Sequence, residues 1–233
     1  QFFNGKNGEV YIYDWALNGE QAYGEAAHYS GVQLKKQNGF TYNIPVDNSG
    51  GVITEENGYF NYEFDGISQY ATLRNEEDLD FRYENDYSIS FWVNTTSDDS
   101  DPIMIGDQDW NSSGNKGLSI AFRNDNWRVA VSDGADHKAD ARTSDFSIPF
   151  NDGEWHFMTV TFDRDGDMKM YQDGEFIVGD SMTDVGSTFS GDPIRLAQDG
   201  PNTYGQFFKG KIGQTVIYDY VLSASEVTAI FDQ

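Results

Sequence analysis

The sequence predicts an all-β domain of antiparallel strands, and three observations carry that prediction. Short runs rich in Tyr, Phe, Val, Ile and Thr recur along the chain, and clusters of Gly, Asn, Asp and Ser separate them. Within the runs apolar and polar residues alternate: in "SISFWV", Ile89, Phe91 and Val93 interleave with Ser88, Ser90 and Trp92, the period of a half-buried strand. Turn signals recur roughly every 8–12 residues, the spacing of a sandwich or a barrel.

The expected strands, in chain order, are 87–95, 117–123, 126–134, 155–163 and a hairpin over 168–179. Asp-Gly at 165–166 and 173–174 and Asn-Asp-Gly at 151–153 supply the positive φ of tight turns. One or two short helical turns are expected besides. In "SASEVTAIF" (223–231), Ser223 stands three residues before Glu226 and ahead of an apolar run, which is the pattern of a capping box. A second turn is expected over 19–30, weakened by its glycines. Residues 24–40 read as a linker or long loop, and the acidic "NEEDLDF" (75–81) as a connecting loop.

A chain of 233 residues, 38% hydrophobic and 15% aromatic, is large enough for one sizeable core. Without cysteine, a long apolar run or a charged-then-apolar start, no disulfide, membrane insertion or attached signal peptide is expected. Fifteen Lys and Arg against 39 Asp and Glu give a net charge of −24, which repels phosphate backbones and argues against a nucleic-acid partner. Such a balance fits either a solvated, salt-adapted surface or a protein that meets abundant calcium.

The chain also repeats itself. "QFFNGKNGEVYIYDWALNGEQ" from Gln1 and "QFFKGKIGQTVIYDYVLSASE" from Gln206 align without a gap over 21 positions, ten of them identical. Average residue usage gives roughly one or two chance matches. An offset of 205 residues makes the repeating unit a whole domain rather than a solenoid repeat. Residues 1–30 are therefore read as the closing strand and turn of a preceding, similar domain, or as an extra strand of this one, and residues 31–233 as the domain itself.

From Asp47 onward a set of landmarks resembles the laminin-G-like branch of the concanavalin A-like lectin and glucanase superfamily. These are "VDNSGG" (46–51), "YFNYEFDGISQYATL" (59–73), "YSISFWVNT" (87–95), "GEWHFMTVTFDRDGDMKMYQDGEF" (153–176) and "FKGKIGQTVIYDYVLSASEV" (208–227), in that order. The resemblance implies a jelly-roll β-sandwich of two antiparallel sheets, with Trp92, Trp155, Phe157, Phe162 and Tyr171 in or near the core; His156, with no second His or Cys near it in sequence, is expected to be structural. The resemblance also implies a structural calcium ion held by Asp47, with Asp65 as the second acid; Gly213 and Gln214 stand where the family often has an acidic pair.

Catalytic machinery is not legible. Glycanases of this superfamily alternate two or three acids along one strand so that general acid and nucleophile share a cleft, and no such set lies on an expected strand. Lyase segments, a Gly-x-Ser-x-Gly elbow, a phosphate loop and a His-Glu-x-x-His motif are also missing. "TDVGSTF" (183–189) looks like one sialidase Asp-box, but a propeller needs several. "FDRDGDM" (162–168) lacks the ladder of a calcium loop and reads as a hairpin. The domain is expected to be non-enzymatic.

Sugar binding needs an aromatic plate for the ring's CH face beside groups that hydrogen-bond hydroxyls. "GDQDWNSSGN" (106–115) offers Asp107, Trp110 and Asn111; "AQDGPNTYGQ" (197–206) offers Asp199, Asn202 and Tyr204. These loops are expected to face one another at one end of the sandwich, with Trp110 and Tyr204 either binding ligand or packing as a staple. A third candidate loop holds Asp136, His137 and Lys138. The function expected is a carbohydrate-binding module of a larger secreted or cell-surface protein, such as an adhesin or a multimodular polysaccharide-degrading enzyme. The alternatives are a structural or protein-binding spacer and a hydrolase or lyase.

Overall fold

A computed structural model describes residues 32–56, 59–74, 76–99, 101–108, 115–123, 126–135, 137–143, 150–200 and 205–233. Its strands are β1 (Val32–Lys35), β2 (Thr41–Asn43), β3 (Val46–Ser49), β4 (Val52–Glu56), β5 (Tyr59–Asp65), β6 (Tyr70–Leu73), β7 (Tyr87–Asn94) and β8 (Ile103–Gly106). They continue as β9 (Gly117–Arg123), β10 (Asn126–Ser132), β11 (Lys138–Arg142), β12 (Trp155–Phe162), β13 (Asp167–Gln172), β14 (Glu175–Ser181), β15 (Arg195–Leu196) and β16 (Lys209–Tyr218). A 3-10 helix spans Glu76–Tyr83 and helix α1 spans Ala224–Phe231.

The strands form two sheets. The larger runs β14-β13-β12-β7-β16-β1-β2, with β5 and β4 joining beside β1; the smaller runs β11-β10-β9-β8-β15-β6-β3. β16 organises the larger sheet because its ten residues are long enough to serve three partners. One edge pairs antiparallel with β7; the other pairs first with β5 and then, in parallel, with β1. Between the sheets lie Phe91, Val93, Phe162, Ile212 and Ile217 from the larger and Ile120, Phe122, Val129 and Leu196 from the smaller. Tyr87 stacks on Phe162 at 4.1 Å between ring centroids.

The two-sheet sandwich and all the strands expected from 87 to 179 are found. Several expectations change. "NEEDLDF" is not an open loop, since Glu76–Tyr83 winds into the 3-10 helix. Within 24–40, Val32–Lys35 is a strand, its side chains alternating between buried and half-buried. Asp173 and Gly174 take the positive φ values, 52° and 82°, of a tight hairpin, and Gly153 has φ 89°. Gly166 does not; it is glycine because a Cβ there would meet Asp163 Oδ2 at 2.6 Å.

Of the aromatics expected in the core, Phe162 lies between the sheets, but Trp92, Phe157 and Tyr171 belong to an outer layer. That layer exists because α1 covers part of the larger sheet's outer face. Ser223 caps α1 in the expected capping box with Glu226. Val227 then packs with Tyr171, Val216 and Tyr218, while Phe231 approaches Trp92 and Phe157 at 6.1 and 6.2 Å. Ser88 and Ser90, polar positions of β7, are consequently buried. Ser88 Oγ donates to the Tyr220 carbonyl at 2.9 Å and accepts from the Leu222 N–H at 2.9 Å.

Candidate functional site

The structure brings the bases of the two expected sugar loops together. β8 and β15 are neighbours, Leu196 opposite Ile105 and Arg195 opposite Gly106, so the loops leave adjacent strands. Gly200 lies against the Asp107 backbone so closely that a Cβ would collide with its carbonyl. Asp107, however, is 1% exposed and faces inward. Its Oδ2 accepts from Arg82 Nη2 at 2.7 Å and its Oδ1 from the Leu118 N–H at 2.7 Å. Burial alone would lower the Arg82 pKa, but the Asp107 and Tyr83 charges and the hydrogen bond to Asp107 together outweigh it and raise that pKa. Asp199 is also fully buried. Both acids are buried at the loop bases, Asp107 against Arg82. Trp110, Asn111, Asn202 and Tyr204 lie outside the described residues, as do Asp136 and residues 1–31. In the third loop, His137 turns to Asp133 and Lys138 to Asp140.

Asp47 and Asp65, expected at a calcium site, have protein partners instead. Arg74 donates to Asp47 Oδ1. Asp65 Oδ1 accepts from the N–H groups of Ile67, Ser68 and Gln69 at 2.8, 3.0 and 3.2 Å. Slight burial pushes the Asp65 carboxyl up, and these backbone bonds outweigh it and hold it low. A divalent cation at Asp47 would have to displace a guanidinium, so the donor set as placed does not fit calcium. Among the described residues no group of three or more His, Cys, Asp or Glu is arranged to hold a metal.

An open cleft of about 490 Å³ lies elsewhere, on the larger sheet. Its walls are Val52, Glu63–Asp65, Gln69, Asn94–Ser97 and Lys209–Lys211. Strand periodicity explains the composition. Tyr62, Phe64 and Ile212 are buried, so Glu63 and Asp65 on β5 and Lys209 and Lys211 on β16 point away from the core. The registers place Val52, Glu63, Lys211, Asn94 and Trp155 in one row across β4, β5, β16, β7 and β12. Asp65 and Lys209 face each other in the next row.

The far wall is tied down. Thr95 Oγ1 donates to the Lys209 carbonyl at 2.7 Å, and Asn94 Nδ2 to the Gly153 carbonyl at 2.6 Å. Gly213 floors the face between the row and α1. A Cβ there would lie 2.8 Å from Asn61 Oδ1 and 3.1 Å from Trp92 Cβ, next to the Trp155 ring at 3.4 Å. The break in pairing between Ile212 and Thr215 falls at the same point, where Gly213 and Gln214 replace the acidic pair common in the family. Lys211 Nζ reaches Glu56 Oε2 at 3.4 Å. The face thus offers two ammonium groups, two carboxylates, amides, hydroxyls and one half-buried indole.

Beside this face, His156 Nδ1 sits 2.8 Å from Asp173 Oδ2 and Nε2 3.2 Å from Asp152 Oδ1. The hydrogen bond to Asp173 raises the imidazole pKa above its usual value, burial opposes this, and Asp152 adds to it. Asp173 Oδ1 also accepts from the Phe157 N–H at 2.8 Å, so the histidine braces the hairpin turn.

Comparison with known proteins agrees with this architecture. The mosquitocidal protein 1 of Paraclostridium bifermentans is 27% identical over 169 residues, 69% of this chain and 13% of that protein. The crystal structure of that protein's binding domain superimposes with a TM-score of 0.65 at 21% identity, covering 81% of this chain and 47% of the other. The botulinum neurotoxin serotype D ligand-binding domain, solved with N-acetylneuraminic acid, gives 0.63 at 16% identity, covering 88% and 51%. The chain therefore spans about an eighth (13%) of the curated relative and about half of each solved binding domain (47% and 51%). A laminin G family model, described as the concanavalin A-like lectin/glucanases superfamily, matches residues 65–228, from the end of β5 into α1. The chain belongs to that superfamily.

Proposed function

We propose that the domain is a non-catalytic carbohydrate-binding module and that the open face of the larger sheet is its binding surface. One observation carries the reading: the row Val52, Glu63, Lys211, Asn94, Trp155 sets an indole beside amide, ammonium and carboxylate groups over a glycine floor. Carbohydrate recognition uses that combination, an aromatic surface for C–H groups and fixed polar groups for hydroxyls. The similar solved structures are receptor-binding and ligand-binding domains of toxins, which supports a binding rather than an enzymatic role. An extracellular setting accords with those relatives. No helix among the described residues is long and apolar enough to cross a membrane. A glycan array probed with the chain tests the reading; specific retention is expected, and no retention on any glycan overturns it. Reducing-end assays on a polysaccharide panel are expected to stay at baseline, and turnover that survives repurification would show an enzyme.

A further inference from the structure

The structure gives physical meaning to the ten identities between residues 1–21 and 206–226. Phe208, matched by Phe3, is fully buried and meets Phe122 edge-on at 6.2 Å. Gly210, matched by Gly5, has φ +144°, and a Cβ there would lie 2.6 Å from the Asn94 carbonyl oxygen and 2.8 Å from Phe208 Cζ. Gly213, matched by Gly8, is the floor position that admits no Cβ. Ile217, Tyr218 and Leu222, matched by Ile12, Tyr13 and Leu17, are buried. Asp219, matched by Asp14, accepts the Gln37 N–H at 2.7 Å. The shared residues are those that seat a closing strand between two neighbours. That slot is filled here, since β16 is paired along both edges.

We infer that residues 1–17 carry the closing-strand sequence of a second domain of this fold, a neighbour in the same polypeptide.

Two measurements on the chain test this. In the first, residues 206–222 take the identities of 1–17 with Ile212 kept, which requires Lys209→Asn, Gln214→Glu, Thr215→Val, Val216→Tyr, Tyr220→Trp and Val221→Ala. One cooperative unfolding transition is expected to persist, and a further Gly210→Val is expected to abolish it. Loss of cooperativity in the graft, or its survival with Gly210→Val, overturns the closing-strand assignment. In the second, deletion of residues 1–30 is expected to leave the melting midpoint unchanged. A fall of about 4 °C or more would make the segment a strand of this domain and overturn the inference. Neither readout involves a glycan, so both stand apart from the proposed function.

Discussion

Two regions of this sandwich carry acids and use them in opposite ways. At the base of the loops after β8 and β15, Asp107 and Asp199 turn inward, and Asp107 is neutralised by Arg82, itself 2% exposed. On the outer face of the larger sheet, Glu63 and Asp65 stand opposite Lys211 and Lys209 and open to water. The difference lies in what covers each position. Asp107 sits where the 3-10 helix and β9 close over a strand end, whereas Glu63 lies on a face that α1 leaves uncovered. An acid flanked by Asn, Gly and Trp in sequence is therefore a weaker sign of a binding site than an acid at a known outward register.

The largest effect separates the two regions directly. Asp107→Ala leaves the Arg82 charge buried without its partner and is expected to cost about 3–5 kcal/mol in urea unfolding. Glu63→Ala is expected to stay within about 0.5 kcal/mol. Equal costs would erase the distinction. Next, α1 marks the border between covered and open parts of the outer face. Ser223→Ala removes the capping box and is expected to cost about 1 kcal/mol, measured in the same way. No change would mean that tertiary contacts alone hold α1 in place.

A smaller, pH-dependent effect tests the brace at the edge of the open face. Because the folded His156 pKa is raised, its stabilisation is complete below the usual histidine value of about 6.5 and is lost as pH rises through the higher folded value. The melting midpoint of the wild type is therefore expected to fall over that window relative to His156→Gln; parallel profiles would contradict the assignment. The smallest effect concerns calcium. With Arg74 on Asp47 and three backbone donors on Asp65, calcium added after chelation is expected to leave the midpoint unchanged. A rise would reveal a native-state site.

Alternation in "SISFWV" and the Asp-Gly turn at 173–174 made the strands and the tightest hairpin legible, because strand period and positive φ are local properties. Ser223 and Glu226 marked α1 for the same reason. Non-local features were not legible. That Trp92 lies under α1, that Asp107 meets Arg82, and that Val52, Glu63, Lys211, Asn94 and Trp155 form one row all depend on registers between strands distant in sequence. One local signal was available: charged residues two apart in "YEFD" (62–65) and "KGK" (209–211), each on a strand whose other face is apolar.

Carbohydrate is proposed to bind the open face of the larger sheet and not the loop bases. The most direct test is a quantitative glycan titration of the wild type, a Trp155→Ala, Lys211→Ala pair and a Trp110→Ala, Tyr204→Ala pair, each first shown to unfold cooperatively. The face pair is expected to lose binding by at least about tenfold, equivalent to roughly 1.4 kcal/mol, while the loop pair retains it. Retained binding in the face pair together with loss in the loop pair would contradict the proposal.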